Sequence, residues 1–506
     1  MKVAVTGCCH GKLEGTYQQV QDLEEENGYK IDLVLVNGDF QAIRNPQDLQ
    51  CMAVPERYRH MGTFHKYYTG EATAPVLTIV IGGNHEASNY MWELYHGGWL
   101  APNVYYLGGS GCVNFGGLRV AGASGIYKGY NYRAGHHERL PYKKSDIQSV
   151  YHTRSYDVLK LRQLSTADVF MSHDWPVDIT KHGDEQDLLK RKPHFQDSIK
   201  KGQLGSPPMM ELLRSLRPLH WFSAHMHCRF EAIVNHESDS MPAPAESETG
   251  PDTTQASEQL APPGQATRFL ALDKCLPGRQ YMHVIDIEPS VPSASPASAP
   301  ALTYDREWLA ISRALHPYLS TTQKQRALPQ PQDMPALIAK SQRWVDENVG
   351  EREIADVQKF VMTAPGPENL DSQPKDLPQP PAYSNPQTET FCAMLGIENK
   401  IKPPPSAYIR LPSPGAAYTT RLPFCFVTTT FAPRPNPGFD DTDMRNSFAP
   451  PSGVTLALEM CQASESCRNE LCMVDLPSSG PQHPGIAPSP AGNEPLRLTR
   501  WILYRE

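Results

Sequence analysis

The 506-residue sequence has no apolar run that reaches the ~18–20 residues of a membrane span. Its start, MKVAVTGCCHGK, places one lysine before a short strand-like run and carries no signal-peptide cleavage pattern. It also lacks positive charge: 47 Lys and Arg against 55 Asp and Glu give a net −8, so there is no global basic field and any nucleic-acid contact must be local. The eleven cysteines are scattered and odd in number, which suits reduced thiols of the cytosol or nucleus better than a disulfide framework. No internal repeat is evident. Proline is the residue in excess, at 48, about twice the usual share. Only 10 prolines precede residue 236, whereas 14 of the 18 histidines do. The chemistry is therefore expected N-terminally and the flexibility C-terminally.

Residues 1–235 alternate strand-like and helix-like stretches. Short β-branched runs recur at Lys2–Thr6, Asp32–Val36, Pro75–Ile81, Leu118–Ala121, Ala167–Met171 and His220–Ser223. Continuous runs of this kind fit strands buried on both faces. Helical patterns lie between several of them, as at Gly15–Glu26 and Val158–Leu164, and together they argue a layered α/β domain. Residues 236–266 read as a disordered polar insertion. Strand patterns return at Thr267–Leu272 and Gln280–Ile287, so the domain is expected over 1–288. A linker over 289–302 follows, then a region over 303–405 with helices expected at Tyr304–His316 and Met334–Asn348. Residues 406–506 form a Pro-rich, largely irregular tail, and Cys461, Cys467 and Cys472 within it lack zinc-type spacing.

Five strand candidates run directly into metal-type side chains: Cys8-Cys9-His10, Asp39, Asn84-His85-Glu86, His173-Asp174 and His225-Met226-His227. Taken alone, Cys-x-His reads more readily as a buried cysteine beside a hydrogen-bonded histidine, and Gly-Asp as often as a turn. Five such ends in one domain are another matter, because ligands in open α/β sheets bind beyond the carboxyl ends of the strands. Asp39, the carboxylate at its strand end, is the candidate bridge between two divalent ions sharing a site. Imidazoles suit zinc and iron, and a thiolate favours soft or borderline metals. Asn84, a neutral oxygen donor, leaves the site positive and suited to an anionic substrate such as a phosphodiester.

Cys8-x-His10, Gly38-Asp39, Gly83-Asn84-His85-Glu86, His173 and His225-x-His227 resemble the motifs of the calcineurin-type metallophosphoesterase superfamily. The resemblance implies a four-layer sandwich of two mixed β-sheets flanked by helices. Two positions depart from the superfamily pattern: Cys8 stands where Asp is usual, and Ala224 where Gly precedes the last His-x-His. The cysteine narrows the likeness. GCCHG (7–11), NGDFQAIRN (37–45), GGNHEASN (82–89), SHDWP (172–176), WFSAHMH (221–227) and FLALDKCLP (269–277) are similar to the RNA lariat debranching family, and the likeness resumes at 304–311 and 383–405.

That resemblance implies hydrolysis of the 2′,5′-phosphodiester at the branch point of excised intron lariats, in the nucleus with some shuttling. It implies one metal on Cys8, His10, Asp39 and His227 and a second on Asp39, Asn84, His173 and His225. Fe²⁺ and Zn²⁺ are favoured and Mn²⁺ is compatible. A metal-activated hydroxide is then expected to attack phosphorus while His85, in the cleft but outside the ligand set, protonates the departing 2′-oxygen, with Glu86 or a backbone carbonyl a candidate to orient it. Residues 124–156, the recognition loop of that family, interleave six tyrosines with six Lys and Arg at a local charge of about +4, suited to stacking and phosphate contact. Tyr127, Lys128, Tyr132, Arg133, Tyr142 and Arg154 are the candidate RNA contacts. The expected partners are branched intron RNA and splicing or intron-turnover proteins, with no membrane. Two other readings stay open: a dinuclear phosphodiesterase acting on nucleotides or linear nucleic acid, and a scaffold that keeps the fold without metals.

Overall fold

The computed structural model describes residues 1–236, 265–290, 300–367 and 377–401. Most of the 236–266 insertion and of the 289–302 linker, and all of the 406–506 tail, lie outside the described residues. The described strands are β1 (Lys2–Thr6), β2 (Leu33–Asn37), β3 (Thr78–Ile81), β4 (Gly98–Ala101), β5 (Val104–Tyr106), β6 (Ser110–Phe115), β7 (Leu118–Ala123), β8 (Val169–Ser172), β9 (His220–Ser223), β10 (Phe230–Asn235), β11 (Ala266–Ala271), β12 (Met282–Asp286) and β13 (Leu302–Tyr304). They form two sheets, ordered β12-β1-β2-β3-β5-β4 and β10-β11-β9-β8-β7-β6-β13. Each sheet has a parallel centre, β1-β2-β3-β5 in one and β11-β9-β8-β7 in the other, with antiparallel pairs at its edges. Both are mixed sheets, as expected.

The period-2 alternation of side chains explains the layers. Val3, Val5, Leu33, Leu35, Ile79 and Ile81 of the first sheet meet Val120, Val169, Met171, Phe222 and Leu270 of the second in one central core. Their alternates point the other way. Ala4, Val34, Val36 and Val80 pack beneath Leu13, Tyr17 and Val20 of the helix Leu13–Asn27. Ala121, Phe170, Trp221 and Phe269 pack beneath helices Ser155–Leu161 and Pro207–Leu216. Helix, sheet, sheet and helix make the four layers.

The strand runs read from the sequence all appear, while β4, β5, β6, β10 and β13 are additions. Between β6 and β7, Gly116 (φ 55°) and Gly117 (φ 89°) form a two-residue hairpin turn that needs positive φ at both positions. Residues 300–401 join the same body: β13 pairs with β6, helices Arg306–Leu315 and Met334–Asn348 follow as expected, and Leu309, Val345 and Phe391 enter the central core. The helix Pro386–Leu395, N-capped by Asn385, lies in a stretch whose proline content hid it. Among the described residues no helix is long and apolar enough to cross a membrane.

Candidate metal centre

Strands β1, β2 and β3 of one sheet and β8 and β9 of the other end on the same rim, and each delivers polar side chains to it: Cys8 and His10, Asp39, Asn84, His173, and His225 with His227. Asp39, 1% exposed, lies in the middle. Its Oδ1 accepts the His85 amide at 2.8 Å and lies 3.4 Å from His173 Nε2. Its Oδ2 lies 3.3 Å from His85 Nδ1 and 3.8 Å from His10 Nε2. The Cys8 sulfur, the carboxylate of Asp39 and one ring nitrogen each of His10 and His227 all lie within 4.8 Å of one another. On the other side His173 Nε2 is 3.2 Å from Asn84 Oδ1, and the rings of His173 and His225 are 5.0 Å apart.

Close approach of these loops depends on two glycines. A Cβ on Gly38 (φ 95°) would lie 2.3 Å from His173 Nδ1, and one on Gly83 2.2 Å from Asp39 Oδ1. Ala224 does not require that freedom: it keeps negative φ and its carbonyl accepts Trp175 Nε1 at 2.8 Å. The loops also hold four candidate ligands in the left-handed region, His10 (49°), Asp39 (46°), His225 (60°) and His227 (48°). For non-glycine residues such a conformation costs about 1–3 kcal/mol each and persists where the surroundings over-determine it. Composition and spacing gave no sign of this strain.

The donor set fits divalent cations. His173 Nδ1 lies 2.8 Å from the Asn37 carbonyl and donates to it, which turns the Nε2 lone pair towards the oxygens of Asn84 and Asp39, an array of acceptors with no proton to share. The Nε2 atoms of His10 and His227 face each other at 3.2 Å. Burial lowers the pKa of His10 to about 4 and of His227 to about 3, and holds that of His225 well below its usual value, so these rings are neutral donors. Burial, with Asp39 adding to it, pushes the Cys8 thiol well up, and a neighbouring cation is what would offset this and make it a thiolate ligand. Burial opposes the charge on Asp39, but the imidazoles of His173, His85 and His10 outweigh it, so Asp39 is the anion of the site.

Glu86 does not orient His85. Buried at 2% exposure, it accepts three backbone N–H groups: Phe40 N at 2.8 Å and Gly83 N at 3.0 Å on Oε1, and Gln41 N at 2.7 Å on Oε2. It clamps the Asp39 loop to the Asn84 loop, and the His85 ring turns to Asp39 instead. Arg44, fully buried, is a second tie that the sequence reading missed. It binds Asp48 through its backbone N and Nε (both 2.9 Å) and Nη2 (3.0 Å), and Glu93 (2.8 Å) and Thr363 (2.9 Å) through Nη1.

Residues 1–229 match the calcineurin-like phosphoesterase family, and residues 264–400 match the C-terminal domain family of lariat debranching enzymes. The chain is 43% identical over 430 residues to the lariat debranching enzyme of Drosophila pseudoobscura pseudoobscura, covering 79% of this chain and 78% of that protein. It is 42% identical over 424 residues to that of Arabidopsis thaliana (84% and 93% covered) and 39% over 466 residues to that of Schizosaccharomyces pombe (80% and 98%). The chain belongs to the lariat debranching enzyme family.

In this debranching-family chain the tyrosine-rich loop is stitched to the rim of the candidate metal centre. Gly125 N donates to the Gly82 carbonyl at 2.9 Å, and Tyr127 N to Asp174 Oδ2 at 3.2 Å. Burial raises the pKa of Asp174 to about 6. The C-terminal region supports the loop from behind: Gly135 N and His136 N donate to the carbonyls of Gln323 and Ser320, and Gln379 brackets Tyr142 with two hydrogen bonds. Two of the expected RNA contacts therefore face inward. Tyr142 is 5% exposed and held by Gln379, and Arg154 is wholly buried, paired with Glu138 at 2.5 Å and bonded to the carbonyls of Asn131 and Ser149. The Arg154 guanidinium thus pairs within the protein, and Gln379 holds the backbone of Tyr142. Tyr127, Lys128 and Tyr132 are half-buried, Arg133 is exposed, and Tyr130, which the reading left out of its contact set, is the most exposed aromatic among the described residues at 79%.

Proposed function

We propose that this chain hydrolyses the 2′,5′-phosphodiester at the branch point of RNA lariats. The observation that carries the proposal is the buried cluster of Cys8, His10, Asp39 and His227 in a chain about 42% identical to lariat debranching enzymes over most of its length. Cys8, His10, Asp39 and His227 would hold one divalent ion, and Asp39, Asn84, His173 and His225 a second, with Fe²⁺ and Zn²⁺ favoured by the thiol and imidazole donors and Mn²⁺ compatible. When bound, the ions supply Lewis acidity toward the phosphoryl oxygens and lower the pKa of water.

The residues of the chain do the rest. Asp39 and the neutral imidazoles fix the donor positions, and Glu86 keeps the two loops in register. His85, its side chain a quarter exposed with Nδ1 against Asp39, holds the proton that passes to the 2′-oxygen as the P–O2′ bond breaks. Tyr127, Tyr130, Tyr132, Lys128 and Arg133 offer stacking and phosphate contacts beside the Asn84–His173 side. The products are a free 2′-hydroxyl on the branch nucleotide and a 5′-phosphate on the released arm. Nuclear residence with shuttling, and contact with splicing or intron-turnover proteins, belong to the same reading. Incubation of a short branched RNA with the metal-loaded protein tests it: a linear RNA plus the freed 5′-phosphorylated arm is expected, and an intact branch overturns it.

A further inference from the structure

The Asn84–His173 side of the cluster has the tyrosine-rich loop beside it. On the opposite side, the loop that carries His225 and His227 continues into Cys228 and Arg229, and Arg191 Nη1 donates to the Arg229 carbonyl at 2.9 Å. Arg191 belongs to a tract over 188–201 that holds Lys190, Arg191, Lys192, Lys200 and Lys201 against one acid, Asp197. Arg191 is paired with Asp187 and Arg229 with Glu231. Lys190, Lys200 and Lys201 are exposed and Lys192 half-buried, and none of the four has an ion pair among the described residues. The positive charge reaches the rim through Arg191, bonded to the loop that carries His225 and His227. Lys274 extends it on the same flank. It has no ion pair among the described residues and leaves from a segment whose Cys275 N donates to the Cys8 carbonyl at 2.9 Å.

A branch nucleotide joins three strands, and one loop on one flank does not account for all of them. We infer that the Lys190–Lys201 tract binds the phosphate backbone of a second RNA strand leaving the branch on the His10–His227 side. The inference rests on the debranching reading. Phe195 is buried, and the one exposed ring of the tract, His194, stands edge-on against it with ring centroids 4.6 Å apart. Its contact is electrostatic, independent of base sequence and sensitive to salt.

The experiment compares Lys190→Gln/Lys192→Gln and Lys200→Gln/Lys201→Gln with wild type on two substrates, a branched RNA with one nucleotide per arm and the same branch with arms of about ten nucleotides. Losing two phosphate contacts at ~0.7 each flattens the salt slope of log KM by about 1.4 and raises KM on the long-armed substrate about tenfold or more at 0.1 M salt. Expected values of kcat on both substrates, KM on the short one, and thermal unfolding match wild type. An unchanged KM and salt slope on the long-armed substrate overturns the inference and leaves the tract to an acidic protein surface. Equal losses on both substrates also overturn it, because they place the effect at the site. Failure of wild type to open even the short branch is a different result, and counts against the debranching reading itself.

Discussion

Replacing Glu86 by Gln separates a clamp from an orienter of His85. One carboxylate oxygen accepts Phe40 N and Gly83 N, and the other accepts Gln41 N. A carboxamide has one acceptor oxygen, so its best placement keeps the first pair and sets an NH₂ against the Gln41 N–H. Leaving one buried donor unpaired costs about 1–3 kcal/mol, and the two surviving bonds lose their charge assistance, roughly another 1 kcal/mol. Glu86→Gln should therefore lower the unfolding free energy by about 2–4 kcal/mol. Glu86→Ala, with three orphaned donors, should cost about 5 kcal/mol or more. Since the clamped loops carry Asp39 and Asn84, a displacement near 1 Å should lower kcat about 10²-fold. The assays are guanidinium denaturation and single-turnover cleavage of a branched RNA, in parallel with a substrate whose bridging 2′-oxygen is sulfur. A clamp loses rate equally on both substrates. Wild-type stability and rate would refute the argument, and so would a rate loss that disappears with the sulfur leaving group, which would tie Glu86 to the leaving-group proton.

Three further outcomes are expected. His85→Ala should lose about 10²–10⁴-fold in rate on the oxygen-bridged branch and little on the sulfur-bridged one, with metal content by elemental analysis unchanged; equal losses on both mean that the proton comes from elsewhere. Arg44→Met leaves Asp48 and Glu93 buried without their cation and should cost about 3–5 kcal/mol in denaturant unfolding, partly recovered by adding Glu93→Gln; a loss under about 1 kcal/mol contradicts it. Burial opposes the charge on Asp157, but His136, Lys160 and the Tyr95 hydroxyl outweigh it and hold its pKa well below the usual carboxylate range. Its stabilisation is present in full above the unfolded value near pH ~4 and falls by about 1.4 kcal/mol per pH unit below that. The stability difference between wild type and Asp157→Asn should then be constant at about pH 5 and shrink towards pH 3, and a constant difference across that range rules it out.

Much of the convergence of polar strand ends on one rim was legible because its signal is local. Runs such as Leu33–Val36 and Ile79–Ile81 are apolar at every position, which only strands covered on both faces tolerate, and each stops at a polar cluster. Strand β10 carries its own signal, with Phe230, Ala232 and Val234 buried between exposed neighbours. That is the alternation of an edge strand, and it was readable. The rest depended on partners far apart in sequence. The Arg154 partner, Glu138, lies across a loop, and the Arg44 partner, Thr363, is 319 positions away. Composition alone does not separate a loop's inward residues from its outward ones, which is why Tyr142 and Arg154 were grouped with Arg133. The left-handed backbone at His10, Asp39, His225 and His227 is imposed by tertiary contacts on residues whose local preference is against it. Glu86, next to His85 in sequence, looked like its partner, yet its carboxylate reaches back to residues 40, 41 and 83.

The central claim is specificity for the branch. Single-turnover cleavage of one RNA that carries a 2′,5′ linkage and a 3′,5′ linkage at the same nucleotide tests it directly, with the metal-loaded protein and both products resolved. The account predicts scission at the 2′,5′ bond alone, leaving a 2′-hydroxyl and an intact 3′,5′ chain. Comparable cleavage at the 3′,5′ bond would contradict it.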